Sequence, residues 1–506
     1  MALVENAEAL LRAPIKGAVF SQIDRVPSSY RPSNRFVLPK GEDRHYQQQY
    51  ADMYFVRLAQ LKRDVEKIAA EEWADFKQGL TRGKLGDETP RRVERVLDVR
   101  QGELCWVVGT VFMEMTLKPN VLDDISKEHW IAAPPPREKY ISQIGGEERM
   151  LEDESGRLRM TGELLSSNLV TGTIIAALGS ENADGLFEVI ETKYADLPRQ
   201  PDRWEGDDAA LAVAGKKVKQ QRPKAGKVAI VSGLSMSGDA NDPLLPDLLL
   251  EYLLGESINE SERTQAASIS RLIIAGNSIA NASPIPSRED VASKKGVKKY
   301  GYDASRYNAS PTEFLDDFLA ALLPSLPVTL IPGATDPANV AIPQQPLHAA
   351  LFPQSRAYAS PPAESNAPPG WLHSVTNPWE GDIDGYRFLG TGGQPIDDLF
   401  KYVPGDDRLE MMENLLRWRC NAPTAPDTLW CYPFQDDDPL LITECPHVYF
   451  VGNQPRLETT VIEGPLGQQV TLIAVPKFRE TGQLVLLDME SLQVETVQFE
   501  IFCKDH

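Results

Sequence analysis

The stretch Val328–His348, VTLIPGATDPANVAIPQQPLH, is an apolar run that empties into a Gly- and Pro-rich loop carrying one carboxylate, Asp336. Val328, Leu330 and Ile331 have the composition of a buried strand, and Pro332-Gly333 forces a turn at its carboxyl end. Two other runs share the design, Lys227–Gly233 (KVAIVSG) and Leu272–Gly276 (LIIAG), each an apolar strand ending on glycine with helical patterns between. Strands joined through helices make an open α/β sheet, and ligands of such sheets sit outside the strands' carboxyl ends. Any chemistry therefore belongs to the strand-end loops.

Composition limits the function classes. The 506 residues leave room for about two to four domains, and 42% hydrophobic with 25% charged content describes an ordinary soluble globular chain. Net charge is −21, from 52 basic against 73 acidic residues, which repels a polyanion over most of the surface. Five cysteines, Cys105, Cys420, Cys431, Cys445 and Cys503, are odd in number and form no CxxC pair, so a disulfide framework is not expected and a reducing compartment fits. The start MALVENAEALLRAP lacks a secretory pattern, and no apolar run reaches the roughly 18 residues that span a bilayer. A cytosolic or nuclear protein without membrane contact is expected.

Residues 1–44 show no period and read as a flexible arm. From Tyr46 to Phe76 apolar residues recur every three to five positions without Pro or Gly, which predicts an amphipathic helix packed on the next domain. Leu104–Met115, Leu158–Leu164, Leu169–Leu178 and Leu186–Ile190 read as strands of a small Greek-key barrel, with Ala132–Arg157 as a long loop. The helical segment and the barrel together make a domain over 45–200. Residues 201–226 read as a linker whose basic half (Lys216, Lys217, Lys219, Arg222, Lys224, ending at Lys227) serves as a connector, an import signal or a DNA contact.

The α/β domain spans 227–506. Helices are predicted at Leu244–Leu254, Ser261–Ser270, Ile396–Tyr402 and Leu409–Trp418. Another opens at Ser310-Pro311-Thr312-Glu313 with a capping-box pattern and buries Phe314, Leu315, Phe318, Leu319 and Leu322. The stretch SPIPSREDVASKKGVKKYGYD (Ser283–Asp303) holds a second lysine patch (Lys294, Lys295, Lys298, Lys299), and Pro-rich residues 337–378 trace an extended path over the strand ends. Later strands are expected at Tyr386–Leu389, Thr443–Val451, Val470–Val475, Leu484–Asp488 and Val494–Cys503. Cys445 and His447, with Cys420 and Cys431, match no standard zinc spacing. His373 with Asp336 reads as structural rather than a dyad, and Asp382 and Asp384 as a turn before a strand.

Two-metal phosphoesterases hold cations roughly 3.5–4 Å apart on oxygen and imidazole donors. In loop order and strand spacing the chain resembles the calcineurin-like family of such enzymes, whose loops read Asp-x-His, Gly-Asp, Gly-Asn-His-Asp and Gly-His-x-His. Here Gly233 and Ser235 stand in the first loop, Asn277 in the second, Ala334, Thr335 and Asp336 in the third, and Asn453 and Pro455 in the last. Only Asp336 survives as a charged donor. One carboxylate and a few neutral oxygens cannot hold two divalent ions, so these positions read as vestigial, with no catalytic residue, no metal and no cofactor.

Strands retained with ligands erased resemble the B-subunit family of replicative DNA polymerases, and its delta branch most closely. The motifs are VAIVSGLSMSG (Val228–Gly238), IPGATDPANVAIPQQPLH (Ile331–His348), VTNPWEGDIDGYRFLGTGGQPIDDLF (Val375–Phe400) and ECPHVYFVGNQP (Glu444–Pro455). The resemblance implies an N-terminal helical segment with an OB-type barrel, followed by an inactivated calcineurin-like α/β sandwich. It also implies a non-catalytic nuclear scaffold of replication and repair, whose partners are the C-terminal metal-binding domain of the catalytic polymerase subunit and a third accessory subunit. Direct DNA contact would be weak at most. The alternatives are a single-stranded-DNA-binding OB protein, whose barrel offers Trp106, Phe112 and Phe187, and an active metal-dependent phosphodiesterase.

Overall fold

The computed structural model describes residues 23–45, 50–74, 76, 90–119, 137–142, 146–162, 168–213, 222, 224–238, 244–256, 260–280, 309–359 and 370–501. The amphipathic pattern near the N-terminus folds as helix α1 (Ala51–Glu72), which buries Met53, Arg57, Leu58, Leu61, Val65 and Ala69 along one face. Its apolar stripe lies on the barrel, where Leu58, Leu61, Val65 and Trp73 share a core with Trp106, Val108, Ile174 and Leu178.

The barrel consists of β2 (Arg91–Arg92), β3 (Cys105–Glu114), β4 (Glu148–Glu152), β5 (Arg157–Thr161), β6 (Ile174–Glu181) and β7 (Phe187–Lys193). They pair in the order β2-β3-β4-β5-β7-β6, and a further β3–β6 pairing closes the ring. The closure joins five strands with one parallel step, β5 on β7, the arrangement of an OB barrel. β4 lies inside the segment expected to be a loop; its buried Met150 and Leu151 are set between polar residues, too short a run to signal a strand.

Two six-stranded sheets make up the rest. The first holds the glycine-ended strands β8 (Lys227–Val231), β9 (Ile269–Ala275) and β10 (Val328–Ile331), all parallel, with β11 (Leu372–Ser374) on one side. On the other side lie the antiparallel pair β17 (Gln483–Asp488) and β18 (Val494–Gln498). The second sheet runs β1 (Tyr30–Pro32), β12 (Trp379–Ile383), β13 (Tyr386–Thr391), β14 (Val448–Gln454), β16 (Gln469–Pro476) and β15 (Glu458–Glu463).

The sheets stack face to face. Val228, Ile230, Ile273 and Ile331 of the first meet Trp379, Phe388, Phe450 and Ile473 of the second. The first sheet's outer face is covered by helices α3 (Leu244–Leu254) and α5 (Ser310–Leu322), through Leu249, Leu253, Leu315 and Leu319, and α4 (Glu260–Ser268) packs beside α3. The second sheet's outer face packs on α6 (Gln394–Tyr402) and α7 (Arg408–Arg417), and this core continues without a break into Val107, Val111 and Phe187 of the barrel. Central strands buried on both faces explain why they read as continuous apolar runs.

Several expectations need correction. Residues 23–45 are not a loose arm: β1 pairs antiparallel with β12, Phe36 is buried, and Arg25 donates to Leu253 O at 2.7 Å and Ala266 O at 2.7 Å. The segment expected to be a linker contains helix α2 (Glu205–Val213), beside which Arg222 lies 4.5 Å from the Trp204 ring. Ser310 does not cap α5, since Ala309 occupies the N-cap without a side-chain bond, and Phe314 is 37% exposed rather than buried. The last strand ends at Gln498 rather than Cys503. Residues 1–22, Lys216, Lys217, Lys219 and the Lys294–Lys299 patch lie outside the described residues. Among the described residues no helix is long and apolar enough to cross a membrane.

Candidate functional site

The carboxyl ends of β8, β9, β10 and β14 converge, and their loops are sewn to one another. Gly233 N donates to Gly276 O at 2.9 Å, Ser235 N to Asn277 O at 2.9 Å, and Met236 N to Ser278 O at 3.0 Å. The chain turns sharply at each strand end, with φ of +62° at Gly233, +46° at Ser235, +52° at Asn277 and +60° at Asn453. Left-handed backbone at three non-glycine residues in one site costs conformational energy, which the surrounding bonds offset.

Those bonds engage the polar groups that sequence reasoning singled out. Asp336 is buried; its Oδ2 accepts from Gly333 N at 2.7 Å and its Oδ1 from Ile279 N at 3.0 Å. Burial pushes this carboxyl up to about 6, against the opposing pull of the backbone N–H groups around it. Asn277 Oδ1 accepts from Thr335 N at 3.1 Å, and Thr335 Oγ1 donates to Ile279 O at 2.7 Å. Asn453 Nδ2 donates to Gly392 O at 2.8 Å, while its Oδ1 is buried without a hydrogen-bond partner. Ala334 and Pro455 are exposed at the rim.

Neutral amides close the site from above. Asn377 Nδ2 donates to Gln344 Oε1 at 2.8 Å and to Gln394 Oε1 at 2.9 Å, and Gln344 Nε2 donates to Gly333 O at 3.1 Å. The Pro-rich segment thus places Gln344 over the strand ends, as its sequence suggested. There is no room at the glycines: a Cβ on Gly233 would lie 2.8 Å from Asn453 Oδ1, and one on Gly333 would lie 2.3 Å from Asn277 N. The donor set does not fit a pair of divalent cations. Its one carboxylate faces backbone N–H groups, and the other donors are neutral: Asn277 Oδ1 and the Thr335 hydroxyl are bonded within the loops, which leaves Asn453 Oδ1 as one unbonded amide oxygen, too few hard anionic donors for two ions. Among the described residues no three His, Cys, Asp or Glu side chains gather as they would around an ion.

The remaining candidates are dispersed. His373 meets the Tyr30 hydroxyl at 2.5 Å rather than Asp336, and desolvation followed by Arg271 pushes its imidazole down to about 4. Cys445, Cys420 and Cys431 belong to three separate apolar cores, and His447 accepts from Arg387 N at 3.0 Å. Asp382 sits on β12 and receives Arg387 Nε at 3.0 Å, whereas Asp384 occupies the following turn and accepts from Ser29 N at 2.8 Å. On the barrel Trp106 and Phe187 are buried, and Phe112 lies under Lys118 and Arg157, so none of these three rings stands open to stack a base.

A full-length comparison decides the family. The chain is 36% identical to the DNA polymerase delta small subunit of Oryza sativa subsp. japonica, over 94% of this chain and 99% of the rice protein. It belongs to the DNA polymerase delta small-subunit family. The small subunit of Arabidopsis thaliana is 37% identical over 94% of this chain and 96% of its own length. That of Saccharomyces cerevisiae is 35% identical over 93% of each. Residues 49–192 match the DNA polymerase delta subunit OB-fold domain, and residues 228–459 match the family of DNA polymerase alpha/epsilon B subunits.

As a delta small-subunit chain it carries one feature that sequence reasoning missed. Arg57 of α1 is buried against Asp438, far along the sequence and outside any motif. Its only local signal is a charge on the apolar face of α1.

Proposed function

We propose that the chain is a non-catalytic, nuclear subunit of a DNA polymerase delta. It tethers the catalytic subunit, through that subunit's C-terminal metal-binding domain, to a third accessory subunit. The two stacked sheets with helices outside are read as a calcineurin-like phosphoesterase sandwich whose ligands have been replaced. The observation that carries this reading is Asp336: the one carboxylate left among the strand-end positions accepts from Gly333 N and Ile279 N, so it braces two loops where a metal ligand would face outward.

The acidic balance suits a basic protein partner and disfavours a polyanion. The test joins two measurements on the purified chain. Metal content and bis-phosphodiester hydrolysis in manganese are expected to show no stoichiometric ion and no turnover that depends on Asp336. Co-expression with the catalytic subunit is expected to yield a stable complex. Two metals per chain, with activity lost on Asp336→Ala, would make the protein a phosphodiesterase instead.

A further inference from the structure

We propose that the surface around Trp430 seats a cationic polypeptide partner, whose apolar pocket receives the Trp430 indole while its lysines or arginines meet Asp436 and Asp437. Trp430 is 73% exposed and Val340 77% exposed, a large apolar area to leave in water. Their loops are held in place. Ile342 N donates to Trp430 O at 2.8 Å, Tyr432 N donates back to Ile342 O at 2.8 Å, and Cys431 between them is buried with its Sγ 3.6 Å from Met53 Sδ. Tyr50, 48% exposed, donates from Oη to Cys431 O at 3.3 Å and brings a second ring to the same seam. Among the described residues no ring stack and no cation–π contact engages Trp430. A rigidly presented tryptophan avoids much of the ordering cost of binding, which is why such residues dominate interface energetics.

Charge selects the occupant. Asp436 and Asp437 follow on the same loop, are exposed, and form no ion pair among the described residues; Asp437 accepts only from Gln60 Nε2 at 3.2 Å. Their neighbours are already neutralised, Asp427 by Lys118 at 2.7 Å and Asp438 by Arg57 at 2.6 Å. A second copy of this chain, at net charge −21, would bring carboxylates against carboxylates, and a nucleic acid would be repelled. A basic protein surface with an apolar pocket satisfies both features. The proposal rests on the small-subunit reading, which supplies the catalytic subunit as the partner to test.

The full-length chain is co-expressed with the catalytic subunit as wild type, Trp430→Ala and Asp436→Lys/Asp437→Lys. Trp430→Ala is expected to weaken association at least about tenfold, as for a central aromatic anchor. The double reversal is expected to weaken it and to flatten the salt dependence of the association rate. Circular dichroism melts of both variants should match wild type, since the altered side chains are exposed. Wild-type affinity in both variants overturns the proposal while leaving the small-subunit reading intact. Failure of the wild-type chain to bind overturns both. Self-association that is lost in Trp430→Ala assigns the patch to a second copy and likewise overturns it.

Discussion

Arg57 on α1 and Asp438 on the loop before β14 form a solvent-excluded ion pair, Nε to Oδ2 at 2.6 Å, between residues 381 positions apart. Arg57 Nη1 also donates to Ala425 O at 2.6 Å, and Asp438 Oδ1 accepts from Leu440 N at 2.9 Å. The pair fastens the barrel's covering helix to the α/β domain and holds the loop that carries Trp430.

Removing one partner strands the other charge without water. Asp438→Ala is expected to destabilise the protein by about 3–5 kcal/mol, read as a lower denaturant midpoint. The double replacement Arg57→Met/Asp438→Leu is expected to recover most of that loss, because apolar side chains of similar volume carry no desolvation penalty. A double variant as unstable as the single one would mean that the pair contributes through shape alone.

Asp336→Ala is expected to cost about 2–6 kcal/mol, since the amides of Gly333 and Ile279 each lose a buried acceptor worth about 1–3 kcal/mol. Its pH signature has a defined sign. The folded carboxyl titrates at about 6, above the unfolded value of about 3.9. The folded state therefore holds the extra proton, and wild type loses stability relative to Asp336→Asn as pH rises from about 4 to 6. Urea melts across that range give the difference directly.

His373 works in the opposite direction. Its folded value near 4 lies below the unfolded value of about 6.5, so the unfolded chain gains the proton first and stability falls as pH drops from about 6.5 to 4. His373→Gln is expected to remove that dependence. The same imidazole anchors Tyr30, which stacks on Trp379 at 6.5 Å between centroids. Tyr30→Ala is accordingly expected to raise amide exchange along β12, measured by mass spectrometry.

Placing an acid in the first loop is expected to disrupt it rather than create a metal site. At Gly233 the backbone φ is +62°, and a Cβ would crowd Asn453 Oδ1 at 2.8 Å and Lys477 Cα at 3.1 Å. Gly233→Asp should lower stability by about 2 kcal/mol or more, from left-handed strain and the clash together. Phosphodiester turnover in manganese should stay at background; a gain in turnover would show that the loops still accept an ion.

The isolated chain is expected to bind a labelled single-stranded oligonucleotide no more tightly than about 1 μM at physiological salt, the range of non-specific attraction. Phe112→Ala should not change that value, because its ring already lies under Lys118 at 4.8 Å and Arg157 at 4.5 Å. Fluorescence anisotropy at two salt concentrations is sufficient to decide it.

The sequence by itself determined what local chemistry can encode. The glycine-ended strands β8, β9 and β10 were legible because strands buried on both faces must be continuously apolar, and α1 because its stripe repeats with the helix turn. That no carboxylate or imidazole stands at Gly233, Ser235, Asn277, Ala334, Thr335, Asn453 and Pro455 is likewise a matter of residue identity. Tertiary structure decided the rest. Tyr30–Pro32 is a strand only because β12 offers it an edge, α2 is held by Arg31 and Arg222, which pair with its Asp207 and Asp208, and β4 is a strand only because β3 pairs with it. Asp336 became a brace, and Arg57 found Asp438, through contacts between segments whose order in the sheets no local period records. Periodicity reports how much of a residue is buried; which residue it is buried against depends on the whole chain.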